Sequence, residues 1–263
     1  MSVNTTLNVA ASGGRFNSLV TGTKPVWGFV ANALVPPGVT VTLKFADGTY
    51  NFSAQQILSH AFGNQINITG NTTTPANCKL VFSAGVHGLN IQSNLGTIDG
   101  FTLDGTTSTA GFNGVQMATG GLSTVDIGGH MVIQNWDSGI FMAGAANQML
   151  MLGGCAVQKC NTCLNITFGA TIGTSGACTL SMNSGTTFGI LAAGFAKINV
   201  TSCSVTGTGG SPTGMKSTYG SYIYAVGATT ASVTTPFVTD QLSGAAGVGS
   251  NVVGNRNAFI ATS

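Results

Sequence analysis

Apolar residues along this chain come in short runs that alternate with polar ones at a period of two, the period of a strand rather than of a helix. Between Gly88 and Val238 a similar unit is written six times: a short apolar run, a glycine-containing turn, then a second and a third run. Met131, Cys155, Cys178 and Cys203 mark the unit at spacings of 24, 23 and 25 residues. One column reads Gly88–Ile91, Gly114–Met117, Gly139–Met142, Cys163–Ile166, Gly189–Ala192 and Tyr222–Ala225. A second reads Gly100–Leu103, His130–Ile133, Cys155–Val157, Cys178–Leu180, Cys203–Val205 and Phe237–Val238. Between them lie Thr97–Ile98, Thr124–Ile127, Met149–Leu152, Ala170–Ile172, Ile198–Val200 and Ala231–Val233.

Three short strands in a unit of about 24 residues describe one coil of a solenoid, which cannot bury its apolar face alone and must stack on its neighbours. The expected fold is all-β: a parallel β-helix, with every second side chain of each run turned inward. Residues 1–75 differ in texture. Val39–Phe45 alternates, followed by an Asp47-Gly48 turn and a second strand. Ser53–Phe62 suits either a short helix opened by a Ser53/Gln56 capping box or another strand. Gln65–Gly70 is a strand ending in a glycine turn, and Trp27, Phe29 and Pro36-Pro37 suit a cap over the first coil. The expected organisation is therefore an N-terminal cap and first strands (1–75), the β-helix (76–240), and a C-terminal capping segment (241–263). In that last segment Val252-Val253 and Phe259-Ile260 suggest one final coil.

Composition supports the strand reading. Only 5% of residues are charged, Glu is absent, and Gly supplies 39 of 263 residues. Helices would need charged solvent faces, whereas tight turns between coils favour Gly and Asn, which tolerate positive φ. Low charge with strong β propensity also favours aggregation, which predicts covered ends or assembly. The lysines are scattered and the net charge is +2, so nothing offers the clustered cations that nucleic acid needs. No run of 18 apolar residues predicts a membrane span, and Met1–Thr6 lacks the features of a signal peptide, which predicts cytoplasmic synthesis.

Cys155, Cys160 and Cys163 match the spacing of an iron–sulfur loop. The recurrence of Cys155, Cys178 and Cys203 at one coil position instead predicts an inward ladder of small apolar residues, with Cys160 and Cys163 flanking one turn. Neither metal nor cofactor is expected.

The series Leu43–Tyr50, Ile66–Gly70 and Ile98–Gly105 resembles right-handed β-helix proteins of the pectate-lyase-like superfamily. More narrowly it is similar to the β-helix tail fibres and tailspikes of tailed bacteriophages, over about residues 40–240. The resemblance implies a homotrimer on the virion surface, made in the host cytoplasm, in contact with other virion proteins and with host-surface polysaccharide. Some such proteins cleave that polysaccharide. A capsid-decorating or tail-structural strut is the alternative, and a depolymerase is the third.

Cleavage of a glycosidic bond generally takes two carboxyl groups facing it, and the chain has only Asp47, Asp99, Asp104, Asp126, Asp137 and Asp240. Asp47, Asp99 and Asp104 precede glycines and read as turn residues. Asp126 alternates with Val125 and Ile127 and should point outward, while Asp240 has no visible partner. As catalytic groups Asp137, His130 and Asp126 are weak candidates. As glycan contacts the candidates are Trp136 with Asn135 and Asp137, and Tyr222 with Tyr224. An exposed indole would stack on a sugar ring while the amide and carboxylate bind hydroxyls. Trp136 packed into a coil corner, and the tyrosines (Tyr219 included) packed between subunits, are the competing readings. Recognition is expected where the coils disagree: Thr106–Phe112, the Trp136–Asp137 turn, and Gly207–Ser221.

Overall fold

The structure is a computed structural model that describes residues 3–107, 109–118, 122–183, 187–239, 252–255 and 258–261. It is a parallel β-solenoid of about eight turns. Each coil contributes one strand to each of three sheets. The coil Gln148–Met151, Ala156–Cys160, Thr162–Thr167 is representative. The first sheet begins with Thr5–Val9 and Val41–Phe45, the second with Gly48–Phe52 and the third with Gln56–Leu58. The second and third sheets have eight strands each. Ser53–Phe62 therefore holds a strand. Val41–Phe45 and Gly48–Phe52 pair with different neighbours, so the Asp47-Gly48 turn is a coil corner rather than the tip of a hairpin.

Inward side chains line up in register. Ile133, Val157, Leu180 and Val205 stack coil on coil and are fully buried. The cysteine ladder is inward as expected: Cys155, Cys178 and Cys203 are buried, as are Cys78, Cys160 and Cys163, and all six thiols are free. Burial pushes the Cys155 and Cys160 thiols up to about 12, which keeps them protonated and poor as nucleophiles or metal ligands.

A glycine column opens the strands of the third sheet. Gly88, Gly114, Gly139, Cys163, Gly189 and Gly214 stand in one row by the pairing of the residues that follow them. The space a side chain would need there is already filled. A Cβ on Gly139 would meet Val157 Cγ1 at 2.2 Å, and one on Gly114 would meet Ile133 Cγ2 at 2.8 Å and Trp136 Cδ1 at 2.9 Å.

The sixth coil corrects the reading of the repeat. Tyr222–Tyr224 belongs to the first sheet, beside Lys197–Asn199, and Phe237-Val238 belongs to the third. The third-sheet strand that was missed is Thr213–Ser217, inside the segment read as an excursion. Its outward residues are polar and its inward ones are Gly214, Met215 and Ser217, so a run with a single large apolar residue fills a strand position. The assignment of the last coil therefore slipped by one strand.

Residues ahead of Val41 are tied to the first coil through strand pairing and side chains. Thr5–Val9 pairs in parallel with Val41–Phe45. The five-residue helix Val26–Val30 buries Val26, Trp27 and Val30, with the indole edge-on to His60 at 6.4 Å, while Phe29 stays exposed. Gln56 is fully buried; its Oε1 accepts from the backbone N–H groups of Val20 (2.8 Å) and Thr21 (3.0 Å). Its Nε2 donates to Thr21 Oγ1 at 2.6 Å and to Ala54 O at 2.8 Å. Gln56→Ala leaves two backbone donors unmet and should cost about 2–3 kcal/mol. Thermal unfolding should register the loss, and limited proteolysis should cut residues 10–35 first; an unchanged melting temperature would contradict the assignment.

At the other end Ala258–Ala261 lies parallel to Tyr222–Tyr224 and antiparallel to Val252–Asn255, so both extend the first sheet. Asp240 and the remainder of 241–263 lie outside the described residues.

Candidate functional site

The sequence candidates fall in three places. Asn135, Trp136 and Asp137 occupy the corner between the second and third sheets, and His130 the corner between the first and second. Asp126, Tyr222 and Tyr224 lie on the outer face of the first sheet.

Trp136 does not offer a ring to a sugar. It is only 1% exposed, its ring packs against Phe82 at 5.7 Å, and its indole N–H donates to Leu103 O at 3.4 Å. Two members of the glycine column, Gly88 and Gly114, together with Gly105 at the preceding coil's corner, leave room for this indole and explain its inward turn. The glycan contact expected of Trp136 is thereby corrected to a core role.

Around it the polar groups satisfy one another. Asp104 accepts from Asn135 Nδ2 (2.8 Å), Thr106 N (2.9 Å) and Gln134 Nε2 (2.9 Å), and Gln158 Nε2 continues the ladder to Gln134 at 3.0 Å. Burial alone would raise the Asp104 pKa. The donors from Asn135, Thr106 and Gln134, with the charge of Lys79, outweigh it and hold the carboxyl below its usual range. That is the opposite of what a general acid needs. Asp137 accepts from Gly111 N at 2.8 Å and Asn161 Nδ2 at 2.9 Å, so the insertion after Asp104 is docked onto the Trp136–Asp137 turn. Two of the expected interruptions are therefore one structural feature.

His130 is half exposed, and its Nδ1 lies 2.9 Å from Asp99 Oδ2. Asp99 Oδ1 also accepts from the backbone N–H groups of Gly100 and His130, both at 2.9 Å, which closes the turn. Among the described residues no hydroxyl or thiol hydrogen-bonds to the His130 ring.

The outer face of the first sheet does bring candidates together. Asp126, Leu150, Gly173, Asn199 and Tyr224 form one outward row, one residue per coil. Thr124, Gln148, Thr171, Lys197 and Tyr222 form the row beside it. Asp126 points outward as expected and lines a shallow groove with Thr124, Gln148, Leu150 and Thr171. Tyr222 and Tyr224 stack at 6.3 Å with planes 11° apart. Partial burial and the neighbouring Tyr224 raise the Tyr222 hydroxyl pKa.

Beside these rows runs a feature that the sequence reading missed. Phe168, Phe195 and Tyr219 occupy the corner between the third and first sheets in three successive coils. They are 70%, 72% and 73% exposed. All three have positive φ, at 52°, 65° and 51°. A bulky side chain in the left-handed region is rare and costs about 1–3 kcal/mol, and exposure returns no burial energy to offset it. Hydrogen bonds between coils hold the corner, from Phe168 N to Ala193 O (3.1 Å) and from Phe195 N to Tyr219 O (3.0 Å). The legible signal was an aromatic next to a glycine at each corner: Phe168-Gly169, Gly194-Phe195 and Tyr219-Gly220. Asn was expected at such turns, yet among the described residues Asn135 is the only Asn of the eight non-glycine residues with positive φ.

Among the described residues no group of three or more His, Cys, Asp or Glu side chains is placed to hold a metal ion, and no helix is long and apolar enough to cross a membrane. Comparison with family models, curated proteins and solved structures gave no match. The fold and site define the class, a parallel β-helix with a corner stripe of exposed aromatics.

Proposed function

We propose that this protein is a non-catalytic β-helical surface module that binds an extended polysaccharide along the corner stripe of Phe168, Phe195 and Tyr219. The observation that carries the reading is that three aromatic rings are held in solvent by a costly backbone conformation, coil after coil. Aromatic faces pair with the apolar faces of sugar rings, and the neighbouring Thr171, Gln148, Asn199 and tyrosine hydroxyls supply hydrogen bonds to sugar hydroxyls. A ligand that repeats along its length suits a site that repeats along its axis. Asp47, Asp99, Asp104 and Asp137 accept hydrogen bonds from local donors, and Asp126 is the one carboxylate lining the shallow groove, which favours binding over a paired-carboxylate cleavage. The resemblance to tail fibres and tailspikes supports a place on the outside of a bacteriophage particle, as a homotrimer against host-surface polysaccharide.

The test is a binding titration against bacterial capsular polysaccharides and lipopolysaccharides, with reducing-end and unsaturated-sugar assays in parallel. Binding without products is expected. Phe195→Ala should weaken binding about tenfold, since an aromatic contact contributes up to about 1.5 kcal/mol. Released sugars would replace this reading by the depolymerase. Failure of every polysaccharide to bind would favour the strut.

A further inference from the structure

The outer face of the third sheet differs from the other two in charge. Its eight strands contain one charged residue, Lys216. The strands of the first sheet carry Lys44, Asp99, Asp126 and Lys197, and those of the second Lys79, Asp104 and Lys159. Phe141, Asn165, Leu191, Lys216 and Val238 form a continuous outward row on the third sheet, so a large apolar side chain recurs on every second coil. Phe188 stands in the neighbouring row, and the Lys216 ammonium lies over its ring at 5.3 Å, laid against the sheet.

We infer that this face is the interface between copies of this chain. The inference rests on the reading of the protein as an assembled module and names the surface through which it assembles. Size and pitch select a second copy as the occupant. Eight strands at about 4.8 Å spacing make a face about 34 Å long and about 15 Å wide. That plane, about 500 Å², is more than half of the roughly 800 Å² per partner of a standard interface, the scale of contact between copies rather than with a small ligand. Outward side chains repeat at the spacing of the coils, so a partner can interdigitate along the whole face only if it shares that spacing, and a second copy shares it by construction. The near absence of charge removes the desolvation cost that the other two faces would incur.

Light scattering on the wild-type chain, on the double variant Phe141→Lys/Leu191→Lys, and on Ser181→Lys of the second sheet tests this. The wild type should show a multiple of the chain mass of 26.4 kDa, about threefold for the trimer. The double variant should fall to the single-chain mass with an unchanged far-UV circular dichroism spectrum, while Ser181→Lys stays assembled. An additional double variant, Leu191→Gln/Val238→Gln, keeps the test open if lysine prevents folding. Assembly unaffected by either double variant, or equally lost in Ser181→Lys, overturns the assignment while leaving the trimer intact. A monomeric wild type overturns both. Polysaccharide binding is read separately, so its failure does not touch the interface.

Discussion

Val157→Asp is expected to yield no folded protein. Val157 is fully buried, stacked in register between Ile133 and Leu180, and its Cγ1 fills the space left by Gly139. A carboxylate there would be surrounded by aliphatic side chains and thiols. An unpaired buried charge costs several kcal/mol even after relaxation, a large share of the 5–15 kcal/mol that keeps a domain folded. Stacking magnifies the damage, because a coil that fails to form leaves both neighbours with an open face. Far-UV circular dichroism of the soluble fraction provides the measurement, with Gln158→Asp, one residue along and turned outward, as the control that should fold. A soluble Val157→Asp protein with the wild-type spectrum would refute the packing.

Gly88→Ala should be the most damaging of the single-methyl additions in the glycine column. The new Cβ would lie 2.2 Å from Gly114 O and 3.2 Å from the Trp136 ring. The nearest atom belongs to the backbone of the next coil, so no side-chain rotation relieves the clash, and the sheet itself must shift. Overpacking a tight core costs about 1–3 kcal/mol, and this case belongs at the upper end. Cys163→Ala, in the same column where a Cβ is already accommodated, is expected to cost less. Chemical denaturation of the two variants compares them directly; an equal loss, or none at Gly88, would show that the column is not sterically closed.

The architecture was legible because inward positions recur: Ile133, Val157, Leu180 and Val205 must be apolar whichever coil they occupy. The same logic exposed the cysteine ladder as core. It failed at Thr213–Ser217, where Met215 is the only large inward residue and the strand is written in Thr, Gly, Lys and Ser. Of the candidate site residues, outward Asp126 and the Tyr222–Tyr224 pair were readable from alternation. Trp136 was not, because its fate depends on space left by Gly88, Gly105 and Gly114, glycines of other coils. Phe168 and Phe195 were missed for a related reason. An aromatic at a turn looks like core until the backbone is seen to hold it outward.

The hydrogen bonds that join one coil to the next run along the solenoid axis, as the parallel registers of all three sheets require. Load and geometry are therefore coupled. Pressed end-on, the stack transmits force through side chains already in contact and has nowhere to yield. Pulled from one end, it would give up its outermost coil first, and then the next, each step breaking only one ring of bonds. Such a body is a good spacer for pushing against a surface and a poor tether for hauling on one.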